Sequence, residues 1–120
     1  MVITKNELSY CQLEFYDHYA ILTMYEGSKL NKATDTEITE ILEDHYNNKD
    51  FIFITHRIHK YSIDLDIYNG KRLRNMKGFA IVSKNPEEHQ RAMVEQALWS
   101  KSFVFFKDIN DATDWAESFF

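Results

Sequence analysis

An α/β fold with a mostly parallel central sheet is the class this sequence predicts. Three observations carry it. Short apolar runs recur along the chain: FIFIT at 51–55, FAIV at 79–82 and FVFF at 103–106. Each is too short for a helix and lacks polar alternation, which is how a strand buried on both faces reads. Between the runs lie segments with apolar residues at helical spacing, and strands alternating with helices build a parallel sheet. Finally, three glycines and one proline in 120 residues leave no room for a linker, so the elements should follow closely within a single domain spanning 1–120.

The first element is a hairpin. Leu13 and Phe15, then Ala20, Leu22 and Met24, alternate as half-buried antiparallel strands do, around a turn at Asp17 and His18. Gly27 and Ser28 break the run. Thr34 and Glu37 stand three apart, the spacing of a capping box. Ile38, Ile41, Leu42, His45 and Tyr46 then give one core face of a helix. Asn47 to Asp50 end it, and Phe51–Thr55 is the central strand.

Ser62 or Asp64 is expected to cap a second helix running to about Met76, with Leu65, Leu73 and Met76 inward and Gly78 as its left-handed stop. Phe79–Val82 is the next strand. Asn85, Pro86, Glu87 and Glu88 form a dense helix start: a cap, a proline at the first position, and acids at the positive end of the dipole. Met93, Val94, Ala97 and Leu98 are the expected core face of that helix. Phe103–Phe106 is a last strand, and Asn110 caps a last helix carrying Ala112, Trp115, Ala116 and Phe119. The predicted order is ββαβαβαβα.

Composition excludes several function classes. The net charge of -5 repels phosphate backbones and anionic lipid heads, so no nucleic-acid partner is expected. A single cysteine, Cys11, permits no internal disulfide. No apolar run approaches the length of a membrane span, and the N-terminal MVITKNELSYCQ has no signal-peptide pattern, so the reading is a cytoplasmic chain.

The strand FIFIT, the segment GFAIVSKNPEEHQ and the ending FVFFKDINDATDWAESF carry a likeness to known proteins. In that ending Phe106, Asp108, Ala112 and Trp115 form a strand, an acidic turn and an amphipathic helix. Together with the element order they resemble the SpoIIAA-like, or STAS-like, family of small bacterial domains over about Leu13 to Phe119. The arrangement is also similar to lipid-exchange domains of CRAL-TRIO type. The resemblance implies a non-catalytic regulatory or protein-interaction module; a small-molecule or lipid binder using the carboxyl edge of the sheet is the alternative. In STAS regulators a serine or threonine at the start of the helix after the central strand is a phosphorylation switch. Ser62 falls near that place and is a candidate phosphosite, but no glycine flanks it and Asp64 follows it instead of preceding it.

The chemistry-bearing residues cluster at strand ends. His56 and His59 stand three apart, and side chains alternate along a strand, so the two do not converge on a metal. Thr55, His56, His59, Tyr61 and Ser62, with Ser83 and Lys84 from the next strand, are the candidate ligand or partner surface at the carboxyl edge, where open α/β sheets bind ligands. Asn85 and the amides at Pro86 adjoin it, although Glu87 and Glu88 disfavour an anion there. The basic run KRLRNMK at 71–77 reads as the complement of a helix C-terminus. No glycine-rich phosphate loop and no nucleophile elbow is present. No enzymatic activity, metal or cofactor is expected; a protein partner, including a second copy of the chain, is.

Overall fold

A computed structural model describes residues 4–99 and 101–120. The chain forms β1 (Thr4–Glu7), β2 (Cys11–Phe15), β3 (Tyr19–Met24), β4 (Lys29–Leu30), α1 (Lys32–Tyr46), β5 (Phe51–His56), β6 (Ser62–Ile63), a 3-10 turn (Leu65–Asn69), β7 (Met76–Val82), α2 (Pro86–Gln96), β8 (Ser102–Phe106) and α3 (Ile109–Glu117). The main sheet has the order β1-β2-β3-β5-β7-β8. β1, β2 and β3 run antiparallel, while β3, β5, β7 and β8 are parallel. The expected mixed α/β fold, with an N-terminal hairpin on a mostly parallel sheet, is therefore present. β4 and β6 pair separately as a short parallel ladder.

Alternation along the strands divides the core in two. Ile52, Ile54, Ala80 and Val82 face α3 and pack on Ala112 and Ala116. Leu22, Phe51 and Phe53 face α1, where Ile38, Leu42 and Tyr46 cover them, and Phe79, Ile81 and Phe103 meet Ala92 of α2 on that same side. Thr55, and Arg57 just beyond β5, continue the α1 and α2 side by the same period of two.

The helix expected from Ser62 or Asp64 to Met76 is absent. Asp64 does cap, its side chain accepting from the Asp66 amide, but it starts only a 3-10 turn that stops at Gly70. Leu65 is 42% exposed, and Leu73 and Met76 reach the core from beyond the 3-10 turn and from β7, so the expected helical face is not assembled. Ser62 lies in β6 and caps nothing. Met76 opens β7, opposite Phe51. Gly78 lies inside β7 and is not a helix stop: a Cβ there would sit 3.1 Å from both Ile52 Cδ1 and Trp115 Cη2, so the glycine allows α3 its close approach. With no helix end to complement, the basic run 71–77 disperses. Lys71 binds Glu43, Arg72 lies over the Trp99 ring, and Lys77 reaches Asp50.

Two smaller differences have local causes. The capping box of α1 is Asn31 with Thr34, three residues before the expected pair: Asn31 Oδ1 accepts from the Thr34 amide at 3.0 Å and Thr34 Oγ1 from the Asn31 amide at 2.9 Å. Glu37 instead accepts a hydrogen bond from the Tyr10 hydroxyl. β1 escapes a pattern-based reading because its four residues are all exposed, and an edge strand that buries nothing carries no hydrophobic period.

The largest correction concerns α2. Met93 is 61% exposed, Val94 55% and Leu98 42%, whereas Ala92 and Glu95 are buried. The helix turns a charged stripe inward and its apolar stripe outward. The cause is Arg57, buried beneath it. An unpaired buried cation costs several kcal/mol, far more than roughly 1 kcal/mol per apolar side chain left half exposed, so the helix face that supplies an acid is the one that docks.

Candidate functional site

The site is built around that inward stripe. The Arg57 amide donates to Val82 O at 2.8 Å, which extends the parallel ladder one residue past β5 and fixes where the side chain starts. Its Nη2 donates to Glu95 Oε1 at 2.6 Å, and the two side chains are each 1% exposed. Its Nη1 lies 3.4 Å from Glu88 Oε1. The Tyr68 hydroxyl, delivered by the 3-10 turn, donates to the same Glu95 oxygen. Arg91 donates to Glu88 Oε2 at 3.2 Å and to Tyr61 O at 2.8 Å. Two arginines thus face two glutamates.

Arg57, Tyr68 and Tyr61 are each shifted from their ordinary values by their surroundings. Burial disfavours the charged form of Arg57, yet the Glu95 carboxylate outweighs it and holds the guanidinium protonated. Burial, then the neighbouring Glu95 carboxylate, pushes the Tyr68 phenol well above its usual range. Burial raises Tyr61 as well. With Arg57 held charged and the Tyr68 and Tyr61 phenols pushed up, these three side chains suit positioning more than proton transfer.

A cavity of about 60 Å³ adjoins it, lined by α1, the 3-10 turn, the sheet and α2 and open on one side. Its walls are mainly apolar, from Leu22, Ile38, Leu42, Phe53, Met76 and Phe79. Arg57, Glu95 and Trp99 also line it, and among the described residues Arg57 Nε, Glu95 Oε2 and Trp99 Nε1 are buried without a hydrogen-bond partner. The Tyr61 hydroxyl lies beside the Arg57 guanidinium and makes no hydrogen bond of good geometry.

The residues expected at the carboxyl edge lie in different places. Thr55 is buried and lines the inner cavity. Tyr61 is buried, and with exposed Ser62 it borders an outer hollow shared with Glu26, Lys60, Glu87, Glu88 and Arg91, where acids outnumber bases around the serine. Ser83 is buried, its Oγ accepting from the Asn85 amide at 3.1 Å; with exposed Lys84 it borders a third hollow next to His89 and Phe105. His56 is half-buried, and burial lowers its pKa. His59 is exposed. Arg57, between the two histidines in sequence, is the buried centre of the network. Among the described residues no group of three or more His, Cys, Asp or Glu side chains converges as a metal site would need.

Glu95 and Tyr68 are functional residues that the sequence alone did not single out. One signal was available for Glu95: Glu88, Arg91, Ala92 and Glu95 repeat at helical spacing as regularly as Met93, Val94 and Ala97 do. Choosing between the two stripes requires knowing that an arginine waits below.

Among the described residues no helix is long and apolar enough to cross a membrane. No family profile and no curated protein matches the sequence. Among solved structures, the chain is similar to an uncharacterized protein of the DUF3478 family with a SpoIIAA-like fold from Shewanella loihica PV-4. The TM-score is 0.58 at 19% identity, covering 88% of this chain and 91% of that one. That likeness, with the parallel β3-β5-β7-β8 core and its three helices, shows that the chain has a SpoIIAA-like fold.

Proposed function

We propose that the chain is a non-catalytic protein-interaction module that receives a protein partner on the outer face of α2. The observation carrying this reading is the orientation of that helix. Met93 and Val94, side by side in sequence, stand more than half exposed, and Leu98 just past the helix end is 42% exposed. Scattered surface apolar residues need no explanation, but a helix whose apolar stripe is the one facing water does. The charged stripe locks the orientation through Arg57 and Glu95, so the outward face is rigid, and a rigid apolar surface loses little entropy when covered.

Ser62 is not needed for this reading, because the acids around it disfavour a phosphate. The test is quantitative affinity capture from the source cells, using the intact chain and a Met93→Glu/Val94→Glu variant. A specific partner should fall at least tenfold with the variant and persist with Asp114→Lys on α3. Equal recovery of every captured protein by the intact chain and the α2 variant would remove the proposal.

A further inference from the structure

We infer that two copies of the chain pair antiparallel through the free edge of β8, joining their sheets into one, with the flank of α2 lying along the seam. This rests on the reading that α2 docks a protein, and it names that protein as a second copy of the chain.

β8 ends the sheet, and among the described residues it pairs only with β7. The Ser83 amide donates to Phe106 O at 3.0 Å, so the Phe106 backbone faces β7. Backbone direction alternates along a strand, so the amides and carbonyls of Phe103 and Phe105 point out of the sheet. Gln96 Nε2, reaching in from α2, accordingly donates to Phe103 O at 3.0 Å. Phe105 N–H and C=O are left without a backbone partner, and such an edge is a template for another strand. The opposite edge is guarded, because β1 is wholly exposed and polar. β8 is apolar instead, and Val104, Phe105 and Phe106 are half-buried where their β7 neighbours Ala80, Ile81 and Val82 are buried.

α2 follows this edge. His89, Met93 and Gln96 form one stripe of the helix, at i, i+4 and i+7. The His89 ring stacks on Phe105 at 4.4 Å and Gln96 reaches Phe103, so Met93, between them and 61% exposed, flanks the edge.

Charge complementarity selects the partner and the register. A net charge of -5 on each chain opposes self-association unless the contact itself is uncharged. From Ser102 to Phe106, and along His89, Met93 and Gln96, there is no Asp, Glu, Lys or Arg. Lys101 and Lys107 flank the strand. A two-fold axis at Val104 would set Lys101 opposite Lys107 of the second copy, and like charges so placed repel. An axis at Phe105 avoids this. Phe105 offers one donor and one acceptor, and on the axis each meets its counterpart on the second copy. Val104 then lies opposite Phe106 of the second copy, an apolar pair on the other face.

The test combines sedimentation of the full chain with amide exchange on ¹⁵N-labelled protein. A dimer should form with a Kd below about 100 µM. Met93→Glu and Phe105→Lys should each weaken it at least tenfold, with thermal melts confirming that the variants fold, and Phe105→Leu should preserve it. In the dimer the Phe105 amide should exchange at least tenfold more slowly than in the Met93→Glu variant, while the Val104 and Phe106 amides, which face β7, keep their rates. A chain that stays monomeric up to about 1 mM would overturn the inference and leave the docking reading standing on the capture experiment, which reports other proteins. A dimer that survives both substitutions, or whose Phe105 amide exchanges as fast as in the variant, pairs elsewhere and would overturn it as well.

Discussion

Glu95 Oε1 accepts a hydrogen bond from Arg57 Nη2 at 2.6 Å, between side chains that are each 1% exposed, and this contact decides which way α2 faces. Removing one partner leaves a buried charge alone, which costs about 3–5 kcal/mol, whereas replacing both with apolar residues of similar volume is often close to neutral. Glu95→Ala should therefore destabilise the fold by that amount in urea denaturation. The Arg57→Met/Glu95→Met double variant should recover most of the loss. If the double variant is as unstable as the sum of the single ones, the pair does not act as a unit.

Asp35, in the first turn of α1 and facing the cavity mouth, has its carboxyl pushed up to about 6 by burial, from an ordinary 3.8. The native state therefore prefers the protonated acid. That preference stabilises the fold fully below pH 4 and is lost as the pH rises through 6. Asp35→Asn cannot ionise, so it should be more stable than the parent at pH 8 and about equal to it at pH 4. The linkage bound is about 3 kcal/mol; the residual exposure of Asp35 and its favourable place at the helix N-terminus reduce the expected gain to about 1 kcal/mol. Thermal melts at the two pH values check it, and a gain at pH 4 equal to that at pH 8 would contradict it.

Cys11 is fully buried in β2, and its thiol is pushed up to about 12 by burial and by the charge of Glu37. The thiolate is the reactive form. Labelling by a thiol reagent at pH 8 should be slow in the native chain and complete at once in denaturant. Native labelling as fast as that of a free thiol would place Cys11 at the surface.

Gly78 leaves room for the Trp115 ring against β7. Gly78→Ala should cost about 1–3 kcal/mol through overpacking. Trp115→Leu should relieve part of that cost when the two are combined, because the far end of the tryptophan ring is one of the atoms in the way. Additive costs in chemical denaturation would show that the backbone, and not Trp115, resists the methyl group.

The sheet was legible in the sequence because Phe51–Thr55 and Phe79–Val82 bury both faces, which continuous apolar runs report directly, while the edge run Phe103–Phe106 is half-buried beyond Phe103. The hairpin around Asp17 and His18 was legible from alternation. The segment from Ser62 to Met76 was not: Asp64 gives a true cap signal, but a cap does not encode the length of the helix it starts. Nor was the site. Arg57 and Glu95 are 38 residues apart, and the stripe that carries Glu95 repeats no more regularly than the apolar stripe beside it. The rule that apolar stripes face inward named Met93, Val94 and Leu98 as core, and it failed because a buried charge elsewhere in the chain outweighs them.

Site-specific photo-crosslinking in the source cells probes the outward face of α2, with the crosslinking residue placed at Met93 on α2 or at Asp114 on α3. A discrete adduct with a protein partner is expected from position 93 and none from 114, and the first should be lost when Val94 is also replaced by Glu. The same faint, diffuse products from both positions would contradict it, leaving the outward stripe of α2 as bare surface.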